Sequence, residues 1–136
     1  MDILLSVQPI YVTRILSLEK RFEFRTRVPK EEVGQIYVYS SSPVQKIVAS
    51  FDPDFITLKG TADEVWNQIK KCPGANKQEL ENYLHGRQGH AIHISDLKVF
   101  QKPIDPKLLF PGFRAPQSFK YCNLNKSIIE AKSNGI

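Results

Sequence analysis

Hydrophobic and polar positions alternate without a slip over one charged segment of this chain. From Arg21 to Arg27, Phe22, Phe24 and Thr26 fall on one side, and Arg21, Glu23, Arg25 and Arg27 on the other. A strand repeats every two residues, so this segment predicts buried phenylalanines on one face and a row of charges on the opposite face, with Lys20 at its start. Ahead of it, Ile3 to Val7 is apolar except for Ser6 and reads as a buried strand. Gln8-Pro9 ends that strand, and Pro9 suits the first turn of a helix running to about Leu18 with Val12, Ile15 and Leu16 as its apolar stripe. Val28 to Gly34 is a polar connection. Gln35 to Ser40 predicts a third strand, with Ile36 and Val38 on one face and Tyr37 and Tyr39 on the other. Ser40-Ser41-Ser42-Pro43 breaks it, and Val44 to Phe51 predicts a fourth.

The second half is punctuated by helix signals. Thr61-Ala62-Asp63-Glu64 is a capping box, followed by Val65, Trp66 and Ile69 at helical spacing and stopped by Cys72-Pro73-Gly74. Asn76 to Glu79 is a second such box, opening a helix to about Leu84 that Gly86 ends. His90 to Phe100 reads as another strand, with Asp96 marking a bulge or bend. Four prolines between Lys102 and Pro116 predict loops and short turns. Gln117 to Cys122 carries the pair Phe119 and Tyr121, and Asn125 to Lys132 predicts a marginal terminal helix, frayed at Ser133-Asn134-Gly135. Brief strands interleaved with short helices predict an α+β fold: a small mixed or mostly antiparallel sheet that curls into a barrel, with short helices beside it. There is no internal repeat, low-complexity tract or linker, so residues 1–136 are expected to form one domain.

Length and composition agree with that picture. The chain has 136 residues, enough for one core, and 41% of them are hydrophobic. Its net charge of +5 favours a polyanionic partner such as nucleic acid or a nucleotide. The two cysteines, Cys72 and Cys122, are far apart and belong to no Cys/His cluster, so reduced thiols are expected and no metal site. No apolar stretch approaches the ~20 residues of a membrane-spanning helix. The N-terminus has no basic segment and too short an apolar run for a signal peptide, so a cytoplasmic protein is expected. No nucleotide-fold glycine motif or nucleophile elbow occurs, and no cofactor is expected.

Five segments in order resemble the ASCH family of the PUA-like superfamily. They are Leu4-Leu5-Ser6-Val7-Gln8-Pro9 before a helix, Glu19-Lys20-x-x-Glu23-x-Arg25, Tyr39-Ser40-Ser41-Ser42-Pro43-Val44, the strand from Ala91 to Pro103, and Ala115-Pro116-Gln117-Ser118-Phe119. The second is similar to the family signature G-x-K-x-x-E-x-R, with Leu18 standing where the signature has glycine. The resemblance implies a small β-barrel with flanking helices and a cleft faced by Lys20, Glu23 and Arg25. It also implies RNA binding, and in some members hydrolysis of N4-acetylcytidine. Those enzymes carry threonine where this chain has Glu23, so that particular activity does not transfer.

Two chemistries fit the charged row. As a binding site, Lys20 and Arg25 would hold a phosphate or a base edge, Glu23 would orient them or accept from a base amino group, and Tyr39, Ser40 and Ser41 would line the wall. As an enzyme on a modified nucleoside or RNA, Lys20 and Glu23 would be the acid–base pair. The competing structural reading is a salt-bridge network on a wet sheet face. Tyr37 and Tyr39 are either a stacking platform or sheet aromatics. His90 and His93 sit an odd number of residues apart and point to opposite faces, so at most one would face a given cleft. Gln117 could read a base edge, whereas Phe119 is core. A regulatory role through a protein partner would use the proline-rich segment from Lys102 to Pro116.

Overall fold

A computed structural model describes residues 1–134. The order is β1 (Asp2–Val7), α1 (Pro9–Leu16), β2 (Phe22–Arg25), β3 (Ile36–Ser40), β4 (Lys46–Ile56), α2 (Ala62–Ile69), α3 (Lys77–Leu84), β5 (His90–Ile104), a 3₁₀ turn at Pro106–Leu108, β6 (Phe119–Cys122) and α4 (Lys126–Ser133). The strands form one mixed sheet in the order β2-β5-β4-β3-β1-β6, curled into a half-barrel. Only β1 and β3 run parallel, because α1 and β2 lie between them and carry the chain back; the other neighbours are antiparallel.

Two strands outrun their predicted ends, and the pairing explains both. β5 continues through Pro103, since β2 covers only His90 to His93 and the missing N–H of proline faces no ladder on that side. β4 likewise continues through Pro53, beyond the last β3 pair at Phe51. Asp96 is the expected bulge. Its φ is 49°, and the β4–β5 register shifts between Ser50↔Lys98 and Asp52↔Ser95.

The alternation along β3 splits the core. Ile36 and Val38 join the cluster of Ile3, Leu5, Val12, Ile15 and Phe51, whereas Tyr37 and Tyr39 join that of Leu4, Ile47, Ile104 and Ile129. A third cluster packs Phe22 and Phe24 of β2 against Val65, Ile69, Leu80 and Leu84 of α2 and α3. The first capping box is complete: Thr61 Oγ1 accepts from Glu64 N at 3.2 Å, and Glu64 Oε1 accepts from Thr61 N at 2.9 Å. The second is half made. Asn76 Oδ1 accepts from Glu79 N at 3.1 Å, but the Glu79 carboxylate turns away to pair with Arg14. His85 and Gly86, at φ 50° and 82°, end α3. Asn125 caps α4, and Gly135, expected in its frayed end, lies outside the described residues.

Candidate nucleic-acid site

The middle of the charged row does not face open water. β2 is an edge strand with helices over its phenylalanine face, and Glu23 and Arg25, with one side of Phe24, border a cavity of about 410 Å³. Three segments wall that cavity. From the end of β1 and from α1 come Ser6, Gln8, Tyr11 and Arg14; from the signature segment come Lys20, Glu23 and Arg25; from α3 come Glu79, Asn82 and Tyr83. Gln117 closes one side. Arg21 and Arg27, the outer members of the row, are exposed, because the strand is only four residues long.

Lys20 and Glu23 are both buried, at 7% and 6% exposure. Lys20 Nζ stands 4.7 Å from the centroid of the Phe24 ring, and among the described residues it forms neither a hydrogen bond nor an ion pair. Burial pushes the Lys20 ammonium below its ordinary pKa, against the opposing pull of Glu23 and Glu79. Glu23 Oε1 is 3.5 Å from Arg25 Nε, and its Oε2 is buried with no partner among the described residues. Arg25 is anchored: Nη2 donates to Ser6 O at 2.8 Å and Nη1 to Ser118 Oγ at 3.2 Å. Arg14 is engaged as well, by Glu79 and by Glu19, and these carboxylates raise its pKa.

The other proposed wall residues lie elsewhere. Tyr39 packs in the second core cluster, 5.4 Å from the Phe113 ring. Ser40 is buried in β3 opposite Val7 and Lys46, and Ser41 N donates to Val7 O at 2.9 Å. None of the three lines the cavity, because β3 lies in the middle of the sheet with core on both sides. Tyr37 is also core, with burial raising its phenol to about 12. His90 Nδ1 is 2.8 Å from Thr57 O, and His93 stacks on Phe55 with its Nδ1 3.2 Å from Asp54 Oδ2; neither reaches the cavity.

Sequence reading missed Arg14, Glu79, Asn82 and Tyr83. A signal for the last three was present: Glu79, Asn82 and Tyr83 are spaced i, i+3, i+4 on the face of α3 away from Leu80 and Leu84. Leu18, at the signature glycine, adopts φ 64°. The turn keeps the left-handed conformation that glycine would hold freely.

No protein-family model matches the chain. It is 27% identical over 105 residues to the large ribosomal subunit protein uL22 of Ureaplasma parvum, and 27% identical over 121 residues to the ATP synthase subunit alpha of that organism. These matches cover 76% and 88% of this chain but only 33% and 15% of the relatives, so the chain spans a third or less of their length. An ASCH domain-containing ribonuclease of Zymomonas mobilis is 23% identical over 128 residues, covering 88% of this chain and 83% of the relative. The solved ASCH structure from Zymomonas mobilis superposes with TM-score 0.73 at 23% identity, over 95% of this chain and 91% of that one. A tyrosine-to-phenylalanine variant of it gives 0.75 at 21% identity, over 96% of each chain. The half-barrel, its order of elements and these superpositions give this chain the fold of the Zymomonas mobilis ASCH structure.

Proposed function

We propose that the cavity beside β2 binds RNA or a nucleotide-like ligand. One observation carries the reading: an ammonium and a carboxylate, Lys20 and Glu23, are both withdrawn from water in one cavity without an ion pair between them. Glu23 leans on Arg25 through one oxygen only and Lys20 has no ion pair among the described residues; burying charge so incompletely matched costs stability, and a protein keeps such a feature where a ligand completes it. The tyrosines of α1 and α3 add faces on which a base stacks, and the net charge of +5 attracts a polyanion. Fluorescence polarisation of a labelled, unstructured RNA tests it. Affinity should fall roughly tenfold or more between 50 and 200 mM salt and be lost in Lys20→Ala. Salt-insensitive binding, or no binding of RNA or nucleotides, overturns the reading.

A second reading, hydrolysis of RNA or of a modified nucleoside, is favoured by the name of the Zymomonas relative and by the lowered pKa of Lys20. The Glu23 carboxylate would serve as base for water, and an ammonium that gives up its proton more readily than usual, Lys20, as the acid. Turnover of RNA or acylated nucleosides, abolished in Glu23→Gln with the fold intact, would distinguish catalysis from binding. No described helix is long and apolar enough to cross a membrane. Both cysteines are free thiols, and on that ground we assign the protein to the reducing cytoplasm.

A further inference from the structure

We propose that Glu23 and Lys20 read the hydrogen-bonding edge of an unpaired nucleobase inside the cavity, while the phosphates of the ligand stay outside it. The inference rests on the reading of the cavity as an RNA or nucleotide site and specifies which part of the ligand enters. Glu23 Oε2 is the deciding atom. It is buried and without a partner among the described residues, and a carboxylate oxygen can only accept. A phosphate oxygen is also an acceptor, so a phosphate seated here would set two anions together and leave Oε2 unsatisfied. A base N–H satisfies it.

The cations argue the same way. Phosphate is gripped by the two-pronged guanidinium of arginine. Both arginines of this cavity commit their terminal nitrogens to the protein: Arg25 gives Nη2 to Ser6 O and Nη1 to Ser118 Oγ, leaving only a buried Nε that faces Glu23 Oε1 at 3.5 Å, and Arg14 pairs with Glu19 and Glu79. Among the described residues, Lys20 is the lining cation whose donors are all unused. An unused donor and an unused acceptor on the wall of one cavity complement a Watson–Crick edge, where every base presents a donor next to an acceptor. That edge is consumed in a duplex, so the base that enters is unpaired. Tyr11 on α1 and Tyr83 on α3 line the walls and are part-exposed, as stacking surfaces must be. A volume of about 410 Å³ lies in the range of small-molecule sites and excludes a helix.

The test uses the full chain and competition against a labelled unstructured RNA at fixed ionic strength. The competitors are uridine, 3-methyluridine, which lacks the one N–H of that edge, and inorganic phosphate. Uridine should compete about 10- to 100-fold better than 3-methyluridine, the loss of a hydrogen bond to a charged group. Phosphate should not compete, and Glu23→Ala should erase the methyl discrimination. The comparison within the wild-type protein stands even if that variant fails to fold. RNA binding with equal competition by 3-methyluridine, or with phosphate as the better competitor, sinks the inference and leaves the RNA reading standing. Nucleoside binding seen by calorimetry without RNA binding keeps the inference and narrows the proposed function to a nucleotide-like ligand. Absence of both overturns both.

Discussion

Arg25 Nη1 lies 3.2 Å from Ser118 Oγ, and this contact joins opposite ends of the sheet. β2, which Arg25 ends, is one edge of the six strands; β6, which follows Ser118, is the other. The same guanidinium reaches Ser6 O on β1, the neighbour of β6. A side chain thus bridges the seam that the backbone ladder leaves open.

Arg25 should therefore matter to stability before it matters to any ligand. Arg25→Ala removes two charge-assisted hydrogen bonds and leaves Glu23 without its nearest cation. A loss of about 2–3 kcal/mol is expected. Arg25→Lys keeps the charge but not the fork, and should recover only part of it. Urea denaturation of the three proteins checks this. Equal stability of Arg25→Lys and wild type would mean that charge alone holds the seam.

Leu18 offers the opposite sign. It is half exposed, so little burial is at stake, yet it holds φ 64°. Leucine pays for this conformation through its Cβ, and glycine does not. Leu18→Gly should be neutral to stabilising, by up to about 1 kcal/mol, despite the greater freedom of glycine in the unfolded chain. Loss of more than that amount in thermal unfolding would show that the leucine side chain contributes packing.

These two residues show what could and could not be read from sequence. The alternation around Phe22 and Phe24 predicted a strand with one apolar face, and Ile36/Val38 against Tyr37/Tyr39 predicted the two faces of β3, because period-two patterning directly encodes which side is buried. The turn at Leu18 was flagged only by its departure from a motif. Lys20, Glu23 and Arg25 share a cavity as the motif implies, but their partners do not follow from adjacency in the chain. Ser6 and Ser118 meet Arg25 only after the sheet curls, and Glu79 meets Arg14 only once α3 docks on β2. Tyr39, Ser40 and Ser41 follow a motif with the right local pattern, yet the strand order places them in the middle of the sheet. Long-range closure is a property of topology, and a single sequence carries little of it.

Gly89 transmits packing to the site. A Cβ there would stand 2.6 Å from Leu84 Cδ2 and 2.7 Å from Arg25 O. Leucine can turn aside, but backbone cannot. Gly89→Ala should cost about 1–3 kcal/mol, displace the end of β2, and weaken RNA binding together with stability. Unchanged chemical shifts at Arg25 and Ser118 in the variant would argue against this route.

The two thiols should react at different rates. Burial and the Asp2 carboxylate push Cys122 up to about 11, whereas Cys72 is part-exposed. At pH 8 only about one Cys122 in a thousand is then a thiolate, the form that attacks. Iodoacetamide should label Cys72 first by orders of magnitude, with Cys122 reacting only on unfolding. Peptide mass mapping after a short pulse reads the ratio directly.

Lys20 gives the sharpest test of the buried charge pair, through pH. Burial lowers its pKa in the folded chain from the ordinary 10.5, so the sum of its interactions disfavours the charged form. Between that lowered value and 10.5 unfolded Lys20 binds more proton than folded Lys20, so its own contribution to stability rises with pH, opposite in sign to that of Cys122. Below the window both states are charged and the full burial cost remains; above it both are neutral and the cost is gone. Lys20→Met keeps an apolar stem over Phe24 and removes the charge. It should therefore be more stable than wild type at pH 7, by about 1 kcal/mol. The gap should close as the pH approaches 10.5, and ligand binding should be lost throughout. Melting temperatures of both proteins from pH 7 to 10.5 decide it. A gap that does not change with pH, or a variant less stable than wild type at neutrality, would mean that Glu23 and its neighbours repay the burial of the ammonium without any ligand.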